Sequence, residues 1–175
     1  MTTKKNVSQI GTALIKVDAY LEEYAKNCFA SGLGDGSVKF PYTSTMYHCL
    51  VEGMSKQEPS GGGAWDGNLM VVLPSADTAD GGPVKNPRWY RYVTQRAAAL
   101  INAALKRRFY YEFLTEMMRN ELQGRPVPHL TLVRRFLRRN GIRSLSEDAL
   151  LKKFQRYRRK ISPGKVRKYH KKCKD

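Results

Sequence analysis

Between Ile10 and Cys28 the apolar side chains fall at Ile10, Leu14, Val17, Leu21, Tyr24 and Cys28, in steps of 4, 3, 4, 3 and 4. This is the a/d spacing of a helical seam, with Lys16, Glu22, Glu23 and Lys26 off the stripe, and it predicts one helix over the whole segment. Ser8 is placed to cap its start, and Ser31-Gly32-Leu33-Gly34 to stop it. Such a seam has two uses: packing on the chain's own core, or pairing two copies into a homo-oligomer through residues 10–28.

Residues 31–42 read as a loop, and Thr43 to Met54 as a short helix that buries Met46, Leu50 and Met54. The run Glu58-Pro59-Ser60-Gly61-Gly62-Gly63 excludes regular structure. Leu69 to Leu73 is a compact apolar run closed by Pro74, which predicts a short strand; Ser37 to Phe40 is its candidate partner in a small β-hairpin. After a second loop, Ser75 to Pro87, no Gly or Pro occurs from Arg88 to Leu122. The Ala-rich stretch 97–105 has high helix propensity, and apolar residues from Trp89 to Met118 cover more than one face. A long, central, buried helix is expected here, ended by Gly124 with Pro126 and Pro128 behind it.

Past Pro128 the pattern becomes sharply two-sided. Over residues 131–140, Leu132, Val133, Phe136 and Leu137 share an arc of about 140°, and Arg134, Arg135, Arg138 and Arg139 occupy the opposite one. Asn140-Gly141 supplies a left-handed stop, Ile142 is placed to pack back, and Ser144-Leu145-Ser146-Glu147 matches a capping box that opens a second helix. There Leu150, Phe154, Tyr157 and Ile161 line one face; Lys152, Lys153, Arg156, Arg159 and Lys160 line the other, up to Pro163-Gly164. Helix, Gly-containing turn, capped helix is the outline of a helix-turn-helix, with its third helix drawn from around Phe113 to Leu122. The expected fold is mostly α: a helical-bundle body (1–124) around a long central helix, a basic two-helix module (125–163) and a cationic tail (164–175). Because the apolar positions lie mostly before Gly124, the body is expected to fold without the module.

Charge follows the same division. Residues 125–175 hold 18 Lys/Arg against 3 Asp/Glu, a net of +15, whereas the preceding 124 hold 14 against 12, a net of +2. A solvated helix ordinarily intersperses carboxylates for i,i+4 pairing, and none lies between Arg125 and Ser146. The partner this implies is a polyanion: nucleic acid first, DNA ahead of RNA, with an acidic protein surface or anionic lipid behind. The candidate contacts are the Arg and Lys of both helices named above, with Arg143 between them and Lys165, Arg167 and Lys168 in the tail. Glu147 and Asp148 open the second helix and suit its dipole, so its later turns, through Arg156 and Arg159, are expected to meet the phosphate backbone. The function expected is a non-catalytic DNA-binding regulator or accessory factor. An RNA-binding scaffold and a metal-dependent processing enzyme are the alternatives.

Forty-one per cent hydrophobic residues suffice for a core, and no apolar run approaches the ~20 residues that span a bilayer. The N-terminal residues lead into an amphipathic segment instead of an apolar leader, and the odd, widely spaced Cys28, Cys49 and Cys173 fit reduced thiols; both suggest the cytoplasm. No catalytic, metal or cofactor constellation is expected. Gly61 to Gly63 lacks the Lys-Ser/Thr of a phosphate loop, and His48-Cys49 and His170 to Cys173 lack a second pair at zinc spacing. Ion pairs with Arg108 and Arg119 account for Glu112 and Glu116, and Asp66, Asp77 and Asp80 read as turn formers. Trp65, and Tyr90, Tyr110 and Tyr111 beside Arg91, Arg107 and Arg108, are aromatic–basic groups that suit either base stacking or the edge of a core.

Overall fold

The computed structural model describes residues 11–57, 67–76 and 81–161, and about half of these are helical. In chain order the elements are β1 (Thr12–Ile15), α1 (Ala19–Cys28), α2 (Thr45–Gly53), β2 (Met54–Ser55), β3 (Leu69–Val72), β4 (Tyr92–Val93), α3 (Gln95–Leu122), α4 (His129–Arg139) and α5 (Glu147–Ile161).

Helix α3 is the axis. Thr94 caps it by accepting from the Ala97 N–H, and its 28 residues run for about 42 Å. Ala97, Ile101, Leu105, Phe109, Phe113 and Met117 are buried along it at steps of four. Each step of four overshoots a full turn by about 40°, so the stripe winds around the helix and meets different elements at different heights. Helix α2 covers the first turns, where a Cβ on Gly53 would fall 2.0 Å from the Ala97 Cβ, so only glycine fits. Tyr20 and Tyr24 of the α1 region set their rings edge-on against Phe109, at 5.2 and 5.4 Å. Phe136 of α4 packs on Phe109 and Phe113, at 5.5 and 5.3 Å. Burial does not extend round the helix as the apolar count suggested: Leu100 and Tyr111 are exposed, and Trp89 precedes the helix altogether.

Three strand assignments differ from the sequence expectation. Residues 12–15 form a strand, and the first helix begins only at Ala19. β1 pairs antiparallel with β3 in the register Thr12↔Val72 to Ile15↔Leu69, which buries Ile15 with Leu69 and Val71; the heptad spacing left Ile15 out of account. The break between β1 and α1 is held by Asn68, whose amide oxygen accepts from Val17 N at 2.9 Å while its nitrogen donates to Val17 O at 3.1 Å. Val17, Leu21 and Tyr24 of the seam are buried in the chain's own core. Ser37 to Phe40 forms no hairpin with Leu69 to Leu73: Val38 makes isolated bridges, antiparallel to Ala30 and parallel to Val71, and β1 is the antiparallel partner of β3. Tyr92-Val93 forms β4 against Met54-Ser55, so α3 starts seven residues after Arg88.

Glycine stops lie where the sequence puts them. Gly124 (φ 78°) and Gly141 (φ 65°) take the left-handed conformation just past α3 and α4. At the second stop, Gly141 N–H bonds Arg138 O at 3.1 Å and Ile142 N–H bonds Leu137 O at 2.9 Å, and Ile142 packs back into the core. The core does not stop at Gly124: Leu132, Val133, Phe136, Leu137, Ile142, Leu150 and Phe154 belong to the same cluster as Phe109 and Phe113. The change of charge at residue 124 is therefore not a change of packing. Only Leu150 and Phe154 of the predicted α5 face are buried; Tyr157 and Ile161 are exposed, and the last turns of α5 extend past the core.

Phe136→Ala removes a buried ring from the α3–α4 contact and is expected to destabilise the fold by about 3–5 kcal/mol, read by chemical denaturation. A chain ending at Gly124 uncovers Phe109, Phe113 and Met117 and is expected to lose its cooperative thermal transition, contrary to the expectation of a self-sufficient body.

Candidate nucleic-acid interface

Helix α4 buries Leu132, Val133, Phe136 and Leu137 and leaves its four arginines exposed, because a side chain 100° from its neighbour cannot serve both faces. The four are not equivalent. At one border of the polar face Arg134 Nε lies 3.0 and 2.9 Å from the two carboxylate oxygens of Glu147. At the other, Arg139 reaches Glu116 of α3 at 2.6 Å, its guanidinium 5.3 Å over the Phe136 ring. Arg135 and Arg138, between them on the crest, have no carboxylate partner among the described residues.

The same partition holds on α5. Lys152 pairs with Asp148 at 2.8 Å, and Lys153 Nζ sits 4.7 Å from the centre of the Tyr110 ring on α3. Arg156, Arg159 and Lys160 are exposed and without an acidic partner among the described residues. Arg158 turns the other way and lies 3.5 Å from Glu121. The tail candidates Lys165, Arg167 and Lys168 lie outside the described residues, as do Trp65, Asp66, Asp77, Asp80 and Cys173.

Carboxylates of the body orient the basic module. Glu121 gathers Arg125 at 2.8 Å and His129 at 2.6 Å as well as Arg158. Burial raises its carboxyl, but the Arg125 and His129 contacts outweigh this and hold it below the ordinary value. Glu23 of α1 fixes the turn between α4 and α5. One of its oxygens accepts from Arg143 N at 2.9 Å, Ser144 N at 3.1 Å and Ser144 Oγ at 2.8 Å. Burial again pushes upward, and the three donors outweigh it, leaving the Glu23 carboxyl below its ordinary 4.5. Ser144 is thus committed to α1, and the cap of α5 is Ser146, whose hydroxyl accepts from Ala149 N at 3.3 Å; Glu147 turns to Arg134 instead of closing a capping box. Glu116 likewise serves Arg139 and not Arg119, whereas Arg108–Glu112 forms as expected at 3.0 Å. Exposed pairs of this kind contribute roughly 0–1 kcal/mol each, so their main effect is on direction.

Tyr90 and the Tyr110–Tyr111 pair do not form one aromatic–basic group: Tyr90 precedes α3 and the pair lies in its middle, about 24 Å further along the axis from its first residue. Tyr110 rests between Phe109 and Lys153, and Arg108 lies over Phe29. Among the described residues, no group of three His, Cys, Asp or Glu is arranged to hold a metal ion, and no helix is long and apolar enough to cross a membrane. Comparison with protein-family models, with curated proteins and with solved structures finds no match for this chain.

The depressed Glu23 carboxyl sets a sign for the pH dependence. As pH falls the unfolded chain takes up this proton first, so the stabilisation is complete above about pH 5 and disappears as pH drops through the folded value. Melting temperatures of wild type and Glu23→Gln should converge as pH falls below about 5 and through the depressed Glu23 value. At neutral pH the variant should melt lower by about 2–4 °C, for a loss of about 1 kcal/mol.

Proposed function

We propose that this protein binds nucleic acid without catalysis, gripping the phosphate backbone of duplex DNA through α4 and α5 as an accessory or architectural factor. The observation that supports this most is the set Arg135, Arg138, Arg156, Arg159 and Lys160. These are exposed cations, free of acidic partners among the described residues, on helices whose other faces are locked into a shared core. Their neighbours Arg134, Arg139, Lys152 and Lys153 are tied down at the borders, which keeps the helices in fixed orientation. Cations at fixed helical spacing suit the regular phosphates of a duplex better than a folded single strand.

The pair of helices resembles a helix-turn-helix in outline, joined here by residues 140–146 and completed by the C-terminal turns of α3. The first turn of α5, which in that motif reads base edges, carries Glu147 and Asp148, and both are engaged with cations of the module. Binding by contact with phosphates, with little discrimination of sequence, follows from that placement.

Five phosphate contacts imply a plot of log affinity against log salt with a slope of roughly −4 to −5. Arg135→Gln with Arg138→Gln should make that slope shallower by about 2 and weaken all duplex sequences alike, measured by fluorescence anisotropy. A wild-type slope near zero would remove the reading.

A further inference from the structure

We infer that the cleft between the two small sheets, at the N-terminal end of α3, seats one unpaired base of a single-stranded nucleic acid. The cleft encloses about 370 Å³ and is lined by Thr12, Ala13 and Leu14 of β1, Met70 of β3, and Arg91, Tyr92 and Val93 at β4. That volume lies within the range of small-ligand sites. Leu14 and Met70 are opposite one another in the β1–β3 register. Ile15, Leu69 and Val71 point inward and are buried, which turns Leu14 and Met70 outward and leaves them half-buried as an apolar floor.

Among the described residues β1 has β3 as its ladder partner and β4 has β2, although β1 and β4 lie side by side. Each sheet therefore has an edge with no ladder partner among the described residues, whose N–H and C=O groups suit the polar rim of a base. The Arg91 guanidinium lies 5.4 Å over the Tyr92 ring at the cleft wall.

The approach to the cleft has the same chemistry. From Lys85 to Tyr92 the chain carries Lys85, Arg88 and Arg91 interleaved with Trp89, Tyr90 and Tyr92, with no carboxylate. Lys56 and Lys85 hold their ammonium groups 5.2 and 5.4 Å from the centre of the Tyr90 ring. Lys85 is fixed there by Glu52 O and Met54 O, each at 3.1 Å. Trp89 is 63% exposed, a large ring open to solvent. An acidic peptide would need the cations alone, and an apolar ligand the floor alone. Rings, cations and an open edge together match a base with its phosphate, and stacking of this kind tolerates any base.

This inference rests on the nucleic-acid reading and extends it. The duplex surface lies at the C-terminal half of α3, where Glu116 and Glu121 meet the module, and the cleft lies beyond its first residue. Gln95 and Glu121 are separated by roughly 40 Å along the helix. Two such surfaces suit a nucleic acid that is paired at one end and open at the other.

The test uses the full chain carrying Trp65→Phe, which leaves Trp89 as the remaining tryptophan of the two. Single-stranded oligonucleotides of about 12 nucleotides, and the duplex of the same sequence, are titrated by tryptophan fluorescence and by anisotropy. Single strands should quench Trp89 and the duplex should not. Trp89→Ala with Arg91→Gln, both exposed positions, should weaken single-strand binding about tenfold and leave duplex binding within twofold, with an unchanged circular dichroism spectrum. An unquenched Trp89, or unchanged single-strand affinity in that variant while Arg135→Gln with Arg138→Gln weakens the duplex, overturns the base seat and leaves the duplex reading standing. Quenching by poly-glutamate equal to that by oligonucleotide also overturns it, in favour of an acidic protein partner. Absence of any nucleic-acid binding by the wild type overturns both readings.

Discussion

The ring of Phe109 is where this molecule is joined. Tyr20 and Tyr24 reach it from the first helical segment, Tyr110 from its own helix, and Phe136 from the basic module, all edge-on within 5.5 Å. Aromatic rings prefer that geometry because the positive edge of one meets the negative face of another. The near-neutral N-terminal part and the strongly cationic C-terminal part are halves of one core, and their relative orientation is set at this point.

That constraint explains how a module of such high charge keeps a defined shape. Repulsion among the arginines of α4 and α5 would splay the two helices if nothing held them. Apolar contacts hold their inner faces, and carboxylates supplied from outside the module hold the borders: Glu116 takes Arg139, Glu121 takes Arg125 and Arg158, and Glu23 takes the intervening turn. Each such pair is weak in water, yet each removes freedom from a long side chain. What remains without a carboxylate partner among the described residues is a narrow crest, Arg135 and Arg138 on one helix and Arg156, Arg159 and Lys160 on the other. Under the proposed function, a ligand rich in phosphate would meet cations on helices already held in place, which would lower the entropy lost on binding.

Asparagine amides do a related task for the backbone. Asn68 pairs with both the N–H and the C=O of Val17, and Asn120, buried at the end of α3, does the same for Val127 at 3.2 and 2.9 Å. An amide side chain has the donor and acceptor of a peptide group, so it can replace a missing ladder neighbour where a strand or helix ends. In both places the chain turns sharply with the peptide groups of Val17 and Val127 paired.

Much of the helical layout was determined by the sequence alone. The glycine stops at Gly124 and Gly141, the two-sided pattern of α4 and the uninterrupted run before Leu122 are local signals, readable from propensity and from the 3.6-residue period. The segment at residues 12–15 was misread because Leu14, Val17 and Leu21 satisfy a heptad, while the competing signal, Ile15 paired with Leu69, depends on a strand more than fifty residues away. The list of cations was legible too, as charge is a property of composition. Which of them are free was not: Arg138 and Arg139 are neighbours of one type, and they differ only because Glu116, twenty-three residues earlier than Arg139, lies within reach of one. The aromatic cleft at Arg91 to Val93 is likewise invisible in the chain, since its floor comes from Leu14 and Met70. Local periodicity chooses helices and their faces; only the packed core decides which distant groups come within a few ångströms, and the strength of a charge or a ring as a binding group depends on that distance.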